Sequence, residues 1–289
     1  TQETIEKFIL GSSFNYAQLQ KKLLDNFELK DLISSGVFNK NQSSKIFFQN
    51  RIMVPINNVQ DKTIGFGARV INESLPKYIN TAETKLFKKK QILYNESQLD
   101  KHSNKKIILV EGYFDVIKLH QFGFSNCVAP LGTSINHERI IDLTKKGYEI
   151  IVCLDGDLAG RNASLRLMNN LLSSKDFELG VKFVLLPKNY DPDLMLESQM
   201  KDQLIKLINQ PLNIEQFIDK YLDKYFSSND IDEQFKGSKA LKGILSSIEN
   251  LDLKKILNQY FQNKSPGSKA RSKKQNTQIS TAEFGNDLK

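Results

Sequence analysis

The chain has 289 residues, 39% hydrophobic and 26% charged, with a formal charge of +8. That length supports two or three subdomains with real cores, and the lack of any run of about 18 apolar residues excludes a transmembrane helix. Cys127 and Cys153 fall inside apolar runs and show no zinc-ligand spacing, so they read as core thiols of a protein in a reducing compartment. Thr1 opens no signal peptide and no Met precedes it, as expected of an excised piece or a processed product.

In chain order, residues 1–48 read as mostly helical. Thr4 is placed to cap a short first helix. Leu19, Leu23, Leu24 and Phe27 recur at helical spacing over 16–27, and a further helix over 29–35 stops at Gly36. These apolar stripes read as core. The character then changes. Residues 51–56 and 63–70 read as two strands joined by a turn over 57–62, a hairpin whose second strand is thinned by Gly65 and Gly67 so that a backbone or ligand can come close. The following stretch, 76–95, is rich in Lys and aromatic residues. Phe66, Tyr78, Phe87 and Tyr94 are candidates for stacking on bases, with core packing the simpler reading.

The stretch from Lys105 to Leu186 organises the chain. Residues 107–110 and 150–154 are apolar without alternation, as in strands buried on both faces, and residues 113–121 and 136–145 have helical spacing. Repeated strand, helix, strand predicts an α/β domain with a parallel sheet flanked by helices. In open parallel sheets the ligand site lies beyond the carboxyl ends of the strands, where Glu111, Asp155 and Asp157 fall. Two like charges 4 Å apart repel by roughly 4 kcal/mol at an effective dielectric near 20, and a divalent cation removes that conflict. Hard oxygen ligands without His or Cys favour Mg²⁺ or Mn²⁺ over Zn²⁺. The chemistry they suggest is phosphoryl or nucleotidyl transfer. Asp155-Gly-Asp157 alone also reads as a simple turn.

Other acids carry two readings each. Asp115 either offsets the dipole of the helix over 113–121 or faces the metal site. Asp193 either caps a helix from Leu194 or joins Asp191 toward the metals. Ser134 is expected to cap the helix from Asn136. Arg51, Arg69, Lys77 and Lys89 lie in the hairpin or the loops after it, where cations facing a carboxylate–metal cluster hold phosphates. From 211 to 261 the pattern is helical again, with Ile214, Phe217, Ile218, Tyr221 and Leu222 on one face and Leu241, Ile244, Leu251, Leu253 and Ile256 among those on others. Residues 263–289 carry six Lys or Arg against two acids, a net +4, with the other +4 spread over the preceding residues. This tail is expected to be disordered, and the charge suits a polyanionic partner.

One Glu after one strand and Asp-x-Asp after a later one resembles the TOPRIM domain. A closer resemblance covers about residues 4–196. It runs through Arg51-Ile-Met-Val-Pro-Ile56, Gly65-Phe-Gly-Ala-Arg69, Pro76-Lys-Tyr-Ile-Asn80 with Glu83, Thr84, Phe87 and Lys89, and Leu93-Tyr-Asn95. Glu111-Gly-Tyr-Phe-Asp115, the Asp155 to Gly160 block and Asp191-Pro-Asp193 complete it. Together these are similar to the polymerase domain of bacterial DNA primases of the DnaG type. The resemblance implies a TOPRIM parallel sheet over 105–190, an amino-terminal α+β subdomain with a basic groove over 1–104, and a helical subdomain over 191–262. It implies a nucleotidyltransferase that joins ribonucleoside triphosphates into short RNA primers on a single-stranded DNA template during replication. Glu111, Asp155 and Asp157 would be catalytic and would hold Mg²⁺ (or Mn²⁺) with Asp115, Asp191 and Asp193. Arg51, Arg69, Lys77, Asn80 and Lys89 would bind nucleotide or nucleic acid. It also implies a cytoplasmic monomer without membrane contact. The zinc ribbon and the domain that binds the replicative helicase lie outside the matched sequence, so no zinc is expected here. Leu158 stands where such primases commonly have Arg, so that either one phosphate-neutralising charge is missing or Arg161 replaces it. Pro130, Tyr190 and Lys90 also depart from the pattern. The alternatives are another TOPRIM activity, such as a metal-dependent nuclease, and a non-catalytic nucleic-acid-binding module.

Overall fold

The computed structural model of the chain describes residues 1–41, 45–72, 75–101, 105–132 and 135–264. No helix among them is long and apolar enough to cross a membrane. The chain divides into two compact units, one of Thr1–Leu167 with Gly180–Pro211, the other of Met168–Leu179 with the described residues from Leu212 onward.

In the first unit, α1 (Gln2–Lys7) is capped by Thr1, whose hydroxyl accepts from the Thr4 N–H at 3.2 Å. The expected cap, Thr4, is instead buried inside the helix. Helix α2 (Tyr16–Asn26) buries no residue fully, and Leu24 and Phe27 of its expected core stripe are 40% and 59% exposed. Tyr16, Leu19 and Leu23 lean on a small separate cluster of Leu32, Phe38 and Ile46. Helix α3 (Leu29–Ser34) is followed by Gly36 at φ +76°, the left-handed stop anticipated from sequence.

The hairpin forms as expected. Strands β1 (Gly11–Ser12), β2 (Arg51–Asn57), β3 (Thr63–Val70) and β4 (Tyr78–Asn80) make an antiparallel sheet in that order, with Arg51 opposite Val70 and Arg69 opposite Tyr78. From within the chain, two rings approach the thinned strand. A Cβ on Gly65 would meet Phe87 at 3.2 Å, and one on Gly67 would meet Tyr113 at 2.8 Å.

The second sheet combines β5 (Leu93–Tyr94), β6 (Lys106–Leu109), β7 (Cys127–Pro130), β8 (Glu149–Val152) and β9 (Val181–Phe183) in the order β5-β7-β6-β8-β9. Strand β5 is an antiparallel edge, and the rest are parallel. Helices α4 (Tyr113–Gln121), α5 (His137–Lys145) and α6 (Leu158–Leu172) follow β6, β7 and β8. Ile107, Leu109, Ile150 and Val152 are fully buried, which is why these runs show no alternation. Asn136 caps α5, accepting from the Glu138 N–H at 3.0 Å. Ser134, the expected cap, lies outside the described residues. The last strand is shorter than the apolar run to Leu186, although the Val184 N–H still donates to Val152 at 2.8 Å. Helix α7 (Pro192–Glu197) is capped by Asp191, not Asp193, because Pro192 occupies the first turn, where its missing N–H costs nothing. Helix α8 (Lys201–Asn209) completes the unit.

The two sheets share one core. Val54, Ile56 and Phe87 pack in the same cluster as Val116, Ile117, Ile151 and Leu186. Residues on both sides of 104/105 share that core, and the second compact unit takes up Met168–Leu179 and the described residues after Pro211.

The second unit contains α9 (Ile214–Phe226), α10 (Ile231–Ser246) and α11 (Leu251–Lys264). Ile214, Phe217, Ile218 and Leu222 are buried as their spacing predicts, whereas Leu251 and Ile256 are 79% and 60% exposed. Helix α11 includes Asn263 and Lys264, the first residues of the expected tail; 265–289 lie outside the described residues.

Candidate active site

The strand order β7-β6-β8 places a topological switch point between β6 and β8, where consecutive crossovers leave in opposite directions and open a crevice at the strand ends. Glu111 follows β6 and Asp155 follows β8, so the sheet brings these acids together from 44 residues apart: the Asp155 N–H donates to Glu111 Oε1 at 3.1 Å. Two glycines make the approach possible. A Cβ on Gly160 would sit 2.6 Å from Glu111 Oε1 and 2.3 Å from the Asp155 carbonyl oxygen. One on Gly156 would lie 1.9 Å from the Pro187 carbonyl oxygen, and the Gly156 N–H donates to the Tyr190 carbonyl at 2.7 Å. Gly156 therefore lets the loop that leads to Asp191 and helix α7 close over the Asp-Gly-Asp turn.

A cavity of 540 Å³ opens on this edge. It is lined by Glu111, Asp115, Asp155, Asp191 and Asp193 on the acidic side and by Arg69, Lys77, Tyr78 and Asn80 on the other. The sheet thus brings five of the six expected acids and three of the five expected binding residues to one wall or the other. Asp157 is exposed and outside the lining, and its carboxylate accepts from the Gly160 N–H at 2.8 Å as a helix cap. Asp115 accepts from the Gly112 N–H at 2.9 Å and Asp191 from the Leu194 N–H at 2.6 Å. Capping and cavity lining are therefore combined in the same side chains. Asp193 instead meets Lys118, whose Nζ lies 3.2 Å from Oδ1.

The basic residues divide similarly. Arg69 lies over the rings of Tyr78 at 5.5 Å and Phe114 at 4.9 Å, a cation held on an aromatic platform. Tyr78 remains 44% exposed, whereas Phe87 and Tyr94 are core residues. Arg51 is buried, and its Nη1 donates to the carbonyls of Pro76 at 2.9 Å and Lys77 at 3.4 Å. It shapes the turn that carries Lys77 and does not enter the cavity. Asn80 Nδ2 donates to the Leu131 carbonyl at 2.8 Å, tying β4 to the loop after β7. Lys89 sits on a 3₁₀ turn (Lys89–Gln91) outside the lining, and its N–H donates to Glu83 at 3.3 Å. Arg161 gives its guanidinium to the carbonyls of Gly156 at 3.0 Å and Leu186 at 3.4 Å, so it braces the turn instead of supplying the charge that Leu158 lacks.

Sequence reading missed Phe114 and Lys118. The available signal was position: Phe114 adjoins Asp115, and Lys118 follows it by three residues on the same helical face.

Burial, and then the neighbouring Glu111, Asp115, Asp191 and Asp157, push the Asp155 carboxyl up to about 7. Burial likewise raises Asp115 to about 7, against the Gly112 N–H and with the help of Asp191, Asp193 and Glu111. Burial also raises Glu111, with Asp157 and Asp191 adding to it and the Asp155 N–H opposing. The wall thus carries more negative charge than it can hold unaided. Its donors are hard carboxylate oxygens, the kind a hard divalent cation takes, so the chemistry fits such an ion. Among the described residues, no three acidic, His or Cys side chains are already drawn into a metal-holding cluster.

A family model described as the DNA primase catalytic core, N-terminal domain, matches residues 1–100, and a Toprim domain model matches 105–182. The DNA primase of Rickettsia conorii is 39% identical over 268 residues, which are 90% of this chain and 45% of that protein. The chain thus spans about half the length of the curated relatives it matches. A solved DnaG catalytic core aligns with a TM-score of 0.74 at 30% identity, covering 91% of this chain and 86% of that one. A DnaG primase catalytic domain solved bound to ssDNA aligns with a TM-score of 0.72 at 28% identity, covering 91% of this chain and 87% of that one.

Proposed function

The chain belongs to the DNA primase family, through a catalytic core of the DnaG type with a TOPRIM fold, and from that premise we propose that it joins ribonucleoside triphosphates into a short RNA primer on single-stranded DNA. The observation that carries the proposal is the acidic wall built on Glu111 and Asp155, facing Arg69 and Lys77 across one cavity. Lys77 and Arg69 would hold phosphates, of the incoming triphosphate or of the template. Tyr78 would offer its exposed ring to a base. Glu111 and Asp155, with Asp115, Asp191 and Asp193 along the same wall, would hold Mg²⁺ or Mn²⁺. Asp157 would contribute through its charge and through the turn it caps. A divalent ion held there supplies the Lewis acidity that lowers the pKa of the attacking 3′-hydroxyl and neutralises the leaving group. The 3′ oxygen bonds to the α-phosphorus as the α–β phosphoanhydride bond breaks and pyrophosphate departs. Arg51, Asn80 and Arg161 would position the two walls, and Lys89 would extend the basic face outside the cavity.

A single-stranded DNA bound in a similar catalytic domain supports the template assignment. The test is primer synthesis from ribonucleoside triphosphates on single-stranded DNA with Mg²⁺ and with Mn²⁺, in the parent and in Asp155→Asn. Incorporation by the parent and loss in the variant are expected. DNA cleavage without incorporation would replace the proposal with a nuclease reading, and full synthesis by Asp155→Asn would overturn the metal assignment.

A further inference from the structure

We propose that Lys118 is a built-in counter-cation of the acidic crevice, which holds Asp193 and sets how strongly a divalent cation binds on that side. The inference rests on the crevice being a divalent-cation site. Lys118 lies three residues after Asp115 in α4, and Asp193 and Glu197 lie four apart in α7, so each helix turns these charges to one face. The Lys118 ammonium sits 3.2 Å from Asp193 Oδ1 and in contact with Glu197 Oε1. The lysine side chain is only 20% exposed, against 47% for Asp193 and 62% for Glu197.

Two features set this apart from a surface ion pair. Asp193 lines the cavity and Glu197 does not, so the ammonium bridges an acid of the site and an acid outside it. The ammonium is the cation that meets Asp193 Oδ1, a buried oxygen otherwise without a hydrogen-bond partner. A divalent cation that takes Asp193 competes with the ammonium for the same oxygen. Glu197 keeps Lys118 partnered when Asp193 turns away, so displacement leaves no stranded charge. Lys118 is in this sense a positioning residue: it touches no reacting atom, and it acts through Asp193.

The two partners of Asp193's affinity for metal then pull in opposite directions. Removing the ammonium frees Asp193 and strengthens divalent binding. Removing the Glu197 charge leaves the ammonium to Asp193 alone and weakens it. A role confined to packing α4 on α7 would move both variants the same way.

The experiment titrates the full chain with Mn²⁺ and counts free ion by electron paramagnetic resonance, for the parent, Lys118→Met, Glu197→Gln and Asp155→Asn. Lys118→Met should bind Mn²⁺ roughly three- to fivefold more tightly, the scale of a partly exposed ion pair, and Glu197→Gln roughly twofold more weakly. Unchanged or weaker binding by Lys118→Met, or shifts of the same sign in both variants, overturns the inference. A parent that binds no Mn²⁺ overturns the crevice reading and the inference with it. Binding lost in Asp155→Asn but unmoved in Lys118→Met overturns the inference alone. Should Lys118→Met fail to fold by circular dichroism, Glu197→Gln decides by itself, because its exposed side chain carries little of the packing.

Discussion

Asp155→Asn removes one charge from a wall that carries too many, and the structure sets the sign and size of the effect. In the fold the Asp155 carboxyl stands near 7, against 3.8 ordinarily, a difference that converts to ~4 kcal/mol. The side chain is half-exposed, and solvent screening brings the figure to ~1–2 kcal/mol. Between the two values the unfolded chain has lost a proton that the native chain keeps. The native state binds more protons there, so the parent's metal-free stability falls as pH rises from about 4 to about 7 and levels off above. Asn carries no such charge. In EDTA at pH 8 the variant should therefore melt higher by roughly 2–8 °C for a unit of this size, and the gap should close as pH is lowered toward 4. Saturating Mg²⁺ should reverse the order, because the parent gains binding energy that the variant lacks. Scanning calorimetry at both pH values, with and without Mg²⁺, reads all three effects. A variant that melts lower in EDTA at pH 8, or that responds to Mg²⁺ as the parent does, refutes the reasoning.

Gly160→Ala should destabilise by ~1–3 kcal/mol in urea unfolding and abolish the Mg²⁺-dependent rise in melting temperature, since the added methyl lands on Glu111 and on the Asp155 carbonyl. Arg51→Met should cost ~1–3 kcal/mol by the same assay, because it removes the hydrogen bonds that the buried guanidinium gives to the carbonyls of Pro76 and Lys77. Lys77→Ala should weaken single-stranded DNA or nucleotide binding without unfolding and flatten the salt dependence by about one charge. Lys89→Ala, outside the cavity lining, should do so less, and equal loss in both would contradict the placement of the two lysines.

Periodicity and strand-end chemistry in the sequence were enough to place the parallel sheet, the hairpin, and the acids Glu111 and Asp155 at one edge. Those features are local. An unalternating apolar run declares burial on both faces, and a run that stops at Gly and an acid declares a strand end. The charge pattern likewise placed Arg69 and Lys77 before that edge. The roles within the set were decided by tertiary contacts between distant residues. Arg51 and Arg69 differ little as sequence, yet the pairing of β2 with β3 and the turn at Pro76 bury one guanidinium against carbonyls and leave the other on a ring platform in the cavity. Asp157 and Asp155 are two residues apart, yet the turn closed by Gly156 sends one outward as a cap and the other inward. Thr4 lost the cap to Thr1, and Asp193 to Asp191, because a capping oxygen must meet a particular N–H and a shift of two or three residues in where the helix starts reassigns it. The common core of the two sheets was hidden for the same reason: Phe87 over Gly65 and Tyr113 over Gly67 are contacts between side chains far apart in sequence, made possible by the absence of a Cβ, and no local pattern announces what will fill that space.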